Sequence, residues 1–158
     1  MSFMRFEGRG GEMIKNYTST VPVERTITRI EMELIEGGAI GIQKEYNDGA
    51  LKAISFSVLA PEKRLISIRL PADVEAVYEI FKSQSKKPRP GTLDNLHAQA
   101  ERTAWKLIQD WVEIQMSLIK MRQVEFLQVF LPYMWNGKET FYATLKQGGF
   151  KMLTQGSK

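Results

Sequence analysis

The feature that most constrains this chain is a long run of apolar side chains at helical spacing, from Leu93 to Met121. Apolar residues recur there three or four positions apart, the repeat that places side chains on one face of an α-helix. A second apolar stripe runs beside the first, and the two together cover more than half of the helix circumference. A helix at the surface of a domain needs an apolar stripe only about 100° wide. The pattern therefore predicts one long central helix that is flanked on two sides by other elements or by a second copy of the chain.

The remaining face of this predicted helix is polar, and we expect it to be exposed to solvent. Its side chains are Arg102, Lys106, Gln109, Asp110, Glu113, Ser117 and Lys120. His97 and Glu101 stand four positions apart within the apolar arc, so that they can meet on one face. They form either a pair that tunes a proton-transfer site or an ordinary hydrogen bond near the start of the helix. Because the pair has no third partner, the second interpretation is favoured.

The composition excludes several classes of site. The 158 residues fit one domain, and the shares of apolar residues (43%) and charged residues (25%) are ordinary for globular proteins. The chain has no cysteine, which rules out disulfides, thiolate metal ligands and cysteine nucleophiles, and it has a single histidine. It contains none of the phosphate-binding, dinucleotide-binding, serine-nucleophile or zinc-protease motifs. We therefore expect a protein without enzyme activity, cofactor or metal site.

The sequence also lacks membrane and export signals. No apolar run approaches the ~20 residues of a membrane span, and no cationic start precedes an apolar segment of the kind that forms a secretory signal. We therefore expect a cytoplasmic protein that has no membrane partner. The net charge of +4 permits a nucleic-acid partner without requiring one.

The residues before the long helix predict a helix, three strands and a second helix, over residues 21–36, 40–46, 51–59, 64–70 and 71–83. Ser19 or Thr20 is expected to cap the first helix, and Gly37-Gly38 is expected to end it. The tripeptide Asn47-Asp48-Gly49 favours a hairpin between the first two strands, because its residues tolerate positive φ.

Alternation along the three strands assigns their side chains to two faces. The inward face is apolar and consists of Ile40, Ile42, Ile54, Phe56, Val58, Ile66 and Ile68. The outward face is small and rich in hydroxyl groups, and it consists of Gln43, Glu45, Ala53, Ser55, Ser57, Ser67 and Arg69. Because no aromatic ring occupies a central strand position on the outward face, it lacks the base-stacking surface of an RRM-type RNA binder. We expect this outward face to be exposed to solvent.

After the long helix we expect a short helix over residues 124–131, ended by Pro132, and a last helix over residues 140–146. The predicted fold is α+β: an α-β-β-β-α unit with a three-stranded antiparallel meander, followed by the long central helix and short C-terminal helices. Residues 13–150 are expected to form a single domain and 151–158 a frayed tail, while 1–12 are a disordered or non-native extension. The codons of Arg9-Gly10-Gly11-Glu12 can form a purine-rich run like a bacterial ribosome-binding site, which suggests Met13 as the natural start.

A basic cluster is the first candidate binding site. Residues 85–92 contain two prolines and a glycine, which predicts a non-helical connector between the second helix and the long helix. The cations of this connector, together with two from the long helix, can grip a phosphate backbone. The alternative is an exposed linker that its charge keeps soluble. The candidate nucleic-acid-binding residues are Lys86, Lys87, Arg89, Arg102 and Lys106.

An aromatic-rich region is the second candidate. The three tryptophans of the chain all lie between positions 105 and 135. Tryptophan and tyrosine are enriched at protein–protein interfaces, although aromatic side chains can equally close a core. The candidate residues of an interaction surface are Trp105, Trp111, Tyr133 and Trp135.

Two resemblances bear on these interpretations. The order helix, three-stranded meander, helix over residues 21–83 resembles the double-stranded-RNA-binding domain, but Asp73 and Glu75 stand where that family presents lysines. Residues 101–105 (ERTAW), 110–112 (DWV) and 129–133 (VFLPY) resemble a family of small bacteriophage and prophage proteins that has no assigned activity. The second resemblance covers most of the chain from Met13 onward. It implies a phage or prophage source and a bacterial host, and it carries over no site residues.

Two functions follow from these observations. The first is a nucleic-acid-associated accessory protein of a phage or prophage, which would bind DNA or RNA through the basic connector without catalysis. The second is a protein–protein interaction module, either a self-associating scaffold (a homo-oligomer) or an inhibitor of a host protein. A third and weaker option is a small-molecule binder, which requires a cavity between helix and sheet.

Overall fold

The computed structural model describes residues 14–85, 89 and 91–154. The described chain forms a helix, a three-stranded antiparallel sheet, a second helix, a long helix and short C-terminal helices, which confirms the predicted α+β fold. In chain order, the elements are α1 (Val23–Glu36), β1 (Gly41–Asn47), β2 (Ala50–Leu59), β3 (Leu65–Arg69), α2 (Val74–Gln84), α3 (Thr92–Lys120), α4 (Phe126–Phe130) and α5 (Phe141–Gln147).

The first helix, α1, begins without the side-chain cap that the sequence suggested. Its N-cap is Pro22, and no side chain bonds to the first turn, so the prediction of a cap from Ser19 or Thr20 is wrong. The fixed φ of proline suits a helix start, and Glu24 lies in the first turn, near the positive end of the helix dipole. At the other end, Gly38 has a φ of 105°, which glycine adopts without strain and which stops the helix.

The sheet is a meander in the order β1-β2-β3, and both pairs of strands are antiparallel. Asp48 and Gly49 have φ values of 49° and 77°, and two positive values are what a two-residue hairpin turn requires. The register then shifts, because Tyr46 lies opposite Leu51 and Lys52 is left as the extra residue of a β-bulge. The bulge reverses the alternation of β2 and turns Leu51 into the core, where it is 5% exposed.

The core lies between the sheet, α1 and α3. The inward residues Ile54, Phe56 and Ile68 are buried, as the alternation predicted. Ile40 precedes β1 at the end of the sheet and is 64% exposed, so its assignment to the core is wrong. Alternation identifies the face of a side chain but not how far the packed helices extend over that face. The other core residues are Ile27, Ile30, Leu34, Leu51, Val58, Leu70, Trp105, Ile108, Val112, Met116 and Phe130.

The long helix, α3, is the element against which both α1 and α2 pack. Its bounds lie within one residue of the predicted 93–121 at each end. Its two helical neighbours explain why its apolar pattern is wider than a surface helix needs. Ile114 is an exception, because this residue of the predicted apolar stripe is 57% exposed. α2 begins later than predicted, since Asp73 is its N-cap and accepts a hydrogen bond from Ala76 N at 3.0 Å.

The chain after α3 returns to the sheet. α4 ends before Pro132, as predicted, and the chain continues in a 3₁₀ turn that contains this proline. Met134 then forms an antiparallel bridge with Ile68. Trp135 N donates a hydrogen bond to Ser67 O at 2.8 Å. These contacts place the segment before α5 along the outer edge of β3.

Candidate interaction surface

The predicted basic cluster lies only partly within the described structure. Lys86 and Lys87 lie outside the described residues. Arg89 is exposed and lies just before α3, where its carbonyl oxygen accepts a hydrogen bond from Thr92 N at 3.0 Å. Binding of phosphate by these three cations stays a prediction.

The two basic residues on α3 are held by other parts of the chain. Arg102 Nε donates to Ser19 O at 3.2 Å, and Arg102 Nη2 donates to Gln99 Oε1 at 2.6 Å. Lys106 Nζ lies 3.3 Å from Asp110 Oδ1 and forms an ion pair with it. Both cationic residues are half-buried. A phosphate group at this place would have to compete with these internal partners.

Residues 14–20, which we call the N-terminal strap, cover part of the side of α3 that was predicted to be exposed, while Glu113, Ser117 and Lys120 remain exposed. Thr103 is fully buried, and its hydroxyl donates to Asn16 O at 3.0 Å. Asp110 Oδ2 accepts hydrogen bonds from Lys15 Nζ and, at 2.9 Å, from Asn16 Nδ2. The prediction of a solvent-exposed face is therefore wrong for the part of α3 that bonds to the strap. The partners of the strap residues lie far away in the chain, so no local pattern in the sequence predicts these contacts.

The strap also sets the charge state of Asp110. Partial burial of this carboxyl acts to raise its pKa, but hydrogen bonds from Lys15, Asn16 and Lys106 act in the opposite direction and prevail. The pKa of Asp110 therefore lies below its ordinary value. The carboxylate is held in its charged form as the attachment point of the strap.

The pair predicted for His97 is not formed with Glu101. His97 Nε2 instead lies 2.8 Å from Glu75 Oε1 on α2, and its ring packs at 5.0 Å, edge to face, against Tyr78. The hydrogen bond from His97 is the largest cause that holds the pKa of Glu75 below its ordinary value, and Lys52 adds a smaller effect. Both side chains are more than one-third exposed. The contact joins α2 to α3 at the surface.

The four aromatic residues of the predicted interaction surface do not lie together. Trp105 is fully buried, so it belongs to the core and contributes no exposed surface. The rings of Trp111 and Tyr133 pack at 5.4 Å, edge to face, and both residues are half-buried. Trp135 lies apart from them, beside β3. The structure therefore brings two of the four together and separates the other two.

The outward face of the sheet acquires an aromatic side chain that the strand sequences do not contain. Because Met134 lies opposite Ile68, its neighbour Trp135 lies on the outward side, where the guanidinium of Arg69 stacks on its ring at 4.3 Å. Arg69 also reaches across β2 to Glu45 on β1, with N–O distances of 2.9 and 3.1 Å. The cation is therefore bound within the chain.

The prediction that the outward face of the sheet is exposed is wrong for two residues of β2. Ala53 and Ser55, which alternation assigned to an exposed face, are 4% and 8% exposed. Both lie on β2, the strand that Arg69 crosses. Ser57 and Ser67 remain half-buried, and their hydroxyl oxygens are 3.4 Å apart. The outward face is thus partly closed by its own side chains.

A groove near the end of the described chain is the clearest open surface. Three segments form its walls: the 3₁₀ turn Leu131–Tyr133, the helix α5 and residues 149–154. Its volume is about 820 Å³. We call it the C-terminal groove. Its lining residues are predominantly apolar: Leu131, Pro132, Phe141, Tyr142, Leu145, Gly149, Phe150, Leu153 and Thr154.

The side chains of the C-terminal groove are exposed to an unusual degree for apolar groups. Leu131, Tyr142 and Leu153 are 42%, 49% and 69% exposed. The rings of Tyr142 and Phe150 lie 5.9 Å apart, and both residues line the groove. The sequence did not reveal this groove, because apolar residues at helical spacing in α5 predict a face that packs on the core.

The cavity between helix and sheet that a small-molecule binder requires is small. A cavity between α1 and the β1–β2 hairpin has a volume of about 220 Å³, and Glu31 and Lys44 in its lining pair with each other at 2.6 Å. That volume lies below the range of about 300–1,000 Å³ that is typical of ligand pockets. Within the described ranges, no group of three acidic, histidine or cysteine side chains can hold a metal ion. No helix there combines the length and apolar character that crossing a membrane requires.

Comparison with known proteins adds no family to this description. No protein-family model matches the chain, and no curated protein sequence or solved structure matches it significantly.

Proposed function

We propose that this protein is a non-enzymatic protein–protein interaction module and that the C-terminal groove is its binding surface. The observation that carries this proposal is a concave apolar surface of about 820 Å³ whose side chains remain exposed at the end of a chain with a closed core. Large exposed apolar patches on monomeric proteins mark surfaces that bind other molecules. The resemblance to phage and prophage proteins supports a bacterial protein as the partner.

The chemistry of the groove favours a protein over a small molecule. Small-molecule sites combine apolar walls with a few convergent polar groups that fix the orientation of the ligand. Here the hydroxyl of Thr154 is already bonded to Lys151 O at 3.2 Å, which leaves the Tyr142 hydroxyl as the main polar group. An apolar surface of this kind binds through shape and area, as the central part of a protein interface does.

Site-specific photo-crosslinking tests the proposal. A photoreactive phenylalanine analogue at position 153 is compared, in a bacterial lysate, with the same analogue at position 114. Leu153 lies in the groove, whereas Ile114 is an exposed apolar residue on α3 at a similar exposure of 57%. We expect a discrete cross-linked product from position 153 alone, and we expect the groove variant Tyr142→Asp to abolish it. Equal products from both positions, or none from position 153, would overturn the proposal.

The mass of that product separates the two kinds of partner. The chain has a mass of 18.1 kDa, so a product of twice this mass indicates self-association. A product of any other mass indicates a different protein. Both outcomes are compatible with an interaction module, and they decide between self-association and binding to a different protein.

Nucleic-acid association is a second candidate function, and the connector between α2 and α3 supports it. The chain has a net charge of +4 and a pI of about 9.3, and Lys86, Lys87 and Arg89 stand together in that connector. Arg102 and Lys106 give less support, because the first is bonded to the strap and to Gln99 and the second to its own helix. The candidate binding site is thereby narrowed to the connector.

A matched pair of variants tests this second candidate. Changing Lys86, Lys87 and Arg89 together to Ala should weaken binding to fluorescent DNA or RNA at low salt and reduce its salt dependence. The control changes Lys138, Lys146 and Lys151 to Ala and removes the same charge elsewhere. Equal losses in the two variants would indicate unspecific attraction, and no binding by the unaltered chain at low salt would exclude the function.

A further inference from the structure

The walls of the C-terminal groove are helical or turn-like. Leu131–Tyr133 is a 3₁₀ turn, α5 is an α-helix, and Leu153 N and Thr154 N both donate to Phe150 O in the last described turn. Among the described residues, no β-strand lines the groove, so a bound chain finds no strand edge with which to pair. A helix suits such a groove, because its backbone hydrogen bonds are satisfied internally and it binds through side chains.

Two lysines stand next to residues that line the groove, Lys146 after Leu145 and Lys151 after Phe150. Lys146 follows Tyr142 by four residues and so lies on the same side of α5, and Lys151 lies in the last described turn. Both residues are exposed, and neither ammonium group has an ion-pair or hydrogen-bond partner among the described residues. Glu139, the nearest acidic residue in sequence, is bonded through Oε2 to Gln147 Nε2 at 2.6 Å. The two lysines are therefore available to an acidic partner.

We propose that the C-terminal groove binds an amphipathic helix of another protein, with its apolar side in the groove and with Asp or Glu residues along its flanks. This inference rests on the proposed function and specifies the chemistry of the partner. The apolar side chains supply the buried area, and Lys146 and Lys151 select acidic flanks through charge complementarity.

Two parts of this chain are alternative candidates for the occupant of the groove. Residues 155–158 are Gln-Gly-Ser-Lys, which offer no apolar side chain and no acidic group. α1 offers more, because Met32 and Ile35 are 56% and 60% exposed and lie three residues apart beside Glu33 and Glu36. A second copy of the chain is therefore the competing occupant, and the test has to distinguish it.

Selection from a random peptide library tests the inference. Displayed peptides of about 16 residues, which form roughly four helical turns, are selected on the full chain and counter-selected on Tyr142→Asp. We expect enrichment of peptides with apolar residues at helical spacing and with Asp or Glu on the flanks. Enrichment of apolar helical peptides without acidic flanks would overturn the inference and leave the proposed function intact. No enrichment that depends on Tyr142 would overturn both.

The role of these two lysines is tested with one synthetic, fluorescein-labelled peptide of the enriched consensus. Changing Lys146 and Lys151 together to Ala should weaken its binding about 2- to 30-fold at low salt, the effect of losing two exposed ion pairs. The control changes Lys63 and Arg64 to Ala, which removes the same charge from the turn before β3. If the variant with Ala at positions 146 and 151 bound the peptide as tightly as the unaltered chain, selection by charge would be contradicted.

Sedimentation velocity of the chain without peptide identifies the competing occupant. We expect a monomer across the concentrations used for peptide binding. A dimer that disappears in both Leu153→Asp and Met32→Asp would show that a second copy fills the groove, and it would overturn the inference of a different protein as partner.

Discussion

The two ends of the described chain both lie along helices, and they differ in what they leave exposed. The N-terminal strap covers polar groups of α3: the buried Thr103 hydroxyl donates to Asn16 O, and Asp110 accepts hydrogen bonds from two strap side chains. The C-terminal turn lies beside α5 but leaves Tyr142 and Leu153 at 49% and 69% exposure. Polar groups are covered and hydrogen-bonded at the N-terminal end of the described chain, whereas apolar side chains remain exposed at the C-terminal end.

This difference indicates which surface serves the fold and which is free to bind. Breaking a buried hydrogen bond leaves an unpaired group at a cost of about 1–3 kcal/mol, so the strap stabilises the folded chain. Exposed apolar side chains do not stabilise the folded chain. When they are buried against another molecule, each Å² of apolar surface removed from water stabilises the complex by about 25 cal/mol. Substitutions under the strap should therefore change stability, and substitutions in the groove should change binding.

The largest expected effect is on the core beside the groove. Phe130 is fully buried and packs against the rings of Phe56 at 5.7 Å and Trp111 at 5.5 Å. Phe130→Ala should lower the free energy of unfolding by about 3–5 kcal/mol, because the lost ring leaves a cavity. Urea unfolding measures this value, and Leu153→Ala in the groove is the control. A loss below about 1 kcal/mol would mean that the core repacks around position 130.

A smaller effect is expected where the strap meets α3. Thr103→Val keeps the shape of the side chain but removes the donor to Asn16 O, which should cost about 1–3 kcal/mol of unfolding free energy. The control is Thr144→Val on α5, where the hydroxyl is exposed and lies 3.4 Å from Thr140 O. If the two variants were equally stable in urea, the strap would not contribute to the fold.

The attachment at Asp110 should depend on pH. Because the pKa of this carboxyl is lowered in the folded chain, its stabilisation is complete above the unfolded pKa of about 3.9 and is lost as the pH falls through the folded pKa. Asp110→Asn should therefore lower the free energy of unfolding by about 1 kcal/mol at neutral pH and by progressively less below pH ~4. Urea unfolding of both chains at several pH values measures the difference, and a difference independent of pH would contradict this account.

The smallest effect on stability is expected in the groove. Leu153→Asp replaces an exposed apolar side chain, so the free energy of unfolding should change by less than about 0.5 kcal/mol. The same substitution should abolish the binding of selected peptides. A strongly destabilised Leu153→Asp chain would show that the last turn belongs to the fold and would remove the contrast between the two ends.

Much of the fold could be predicted from the sequence because the signals are local. The periodic apolar residues of α3 placed that helix within one residue at each end, and two residues with positive φ, Asp48 and Gly49, form the predicted hairpin turn. Where the strand alternation failed to predict the direction of a side chain, the reason is also physical. Leu51 faces the core through a β-bulge, which depends on the register between two strands and leaves no mark in the sequence of either strand.

The candidate sites were harder to predict because they depend on distant contacts. Arg102 and Lys106 were predicted to bind nucleic acid, but they have partners within the chain that include Ser19 and Asp110. Trp105 was read as a surface residue, although the same apolar spacing is equally compatible with its place in the core. The sequence predicted the helix α5 but not the open groove that its apolar residues line.

The sequence by itself determined the α+β class, the order of the elements and the length of α3, because helical periodicity, strand alternation and turn residues act over a few neighbouring positions. Only the tertiary structure decided which polar face the strap covers, where Trp135 joins the sheet and which apolar side chains remain open. Those outcomes depend on which distant segments come together, and a side chain's exposure is a property of its neighbours in space.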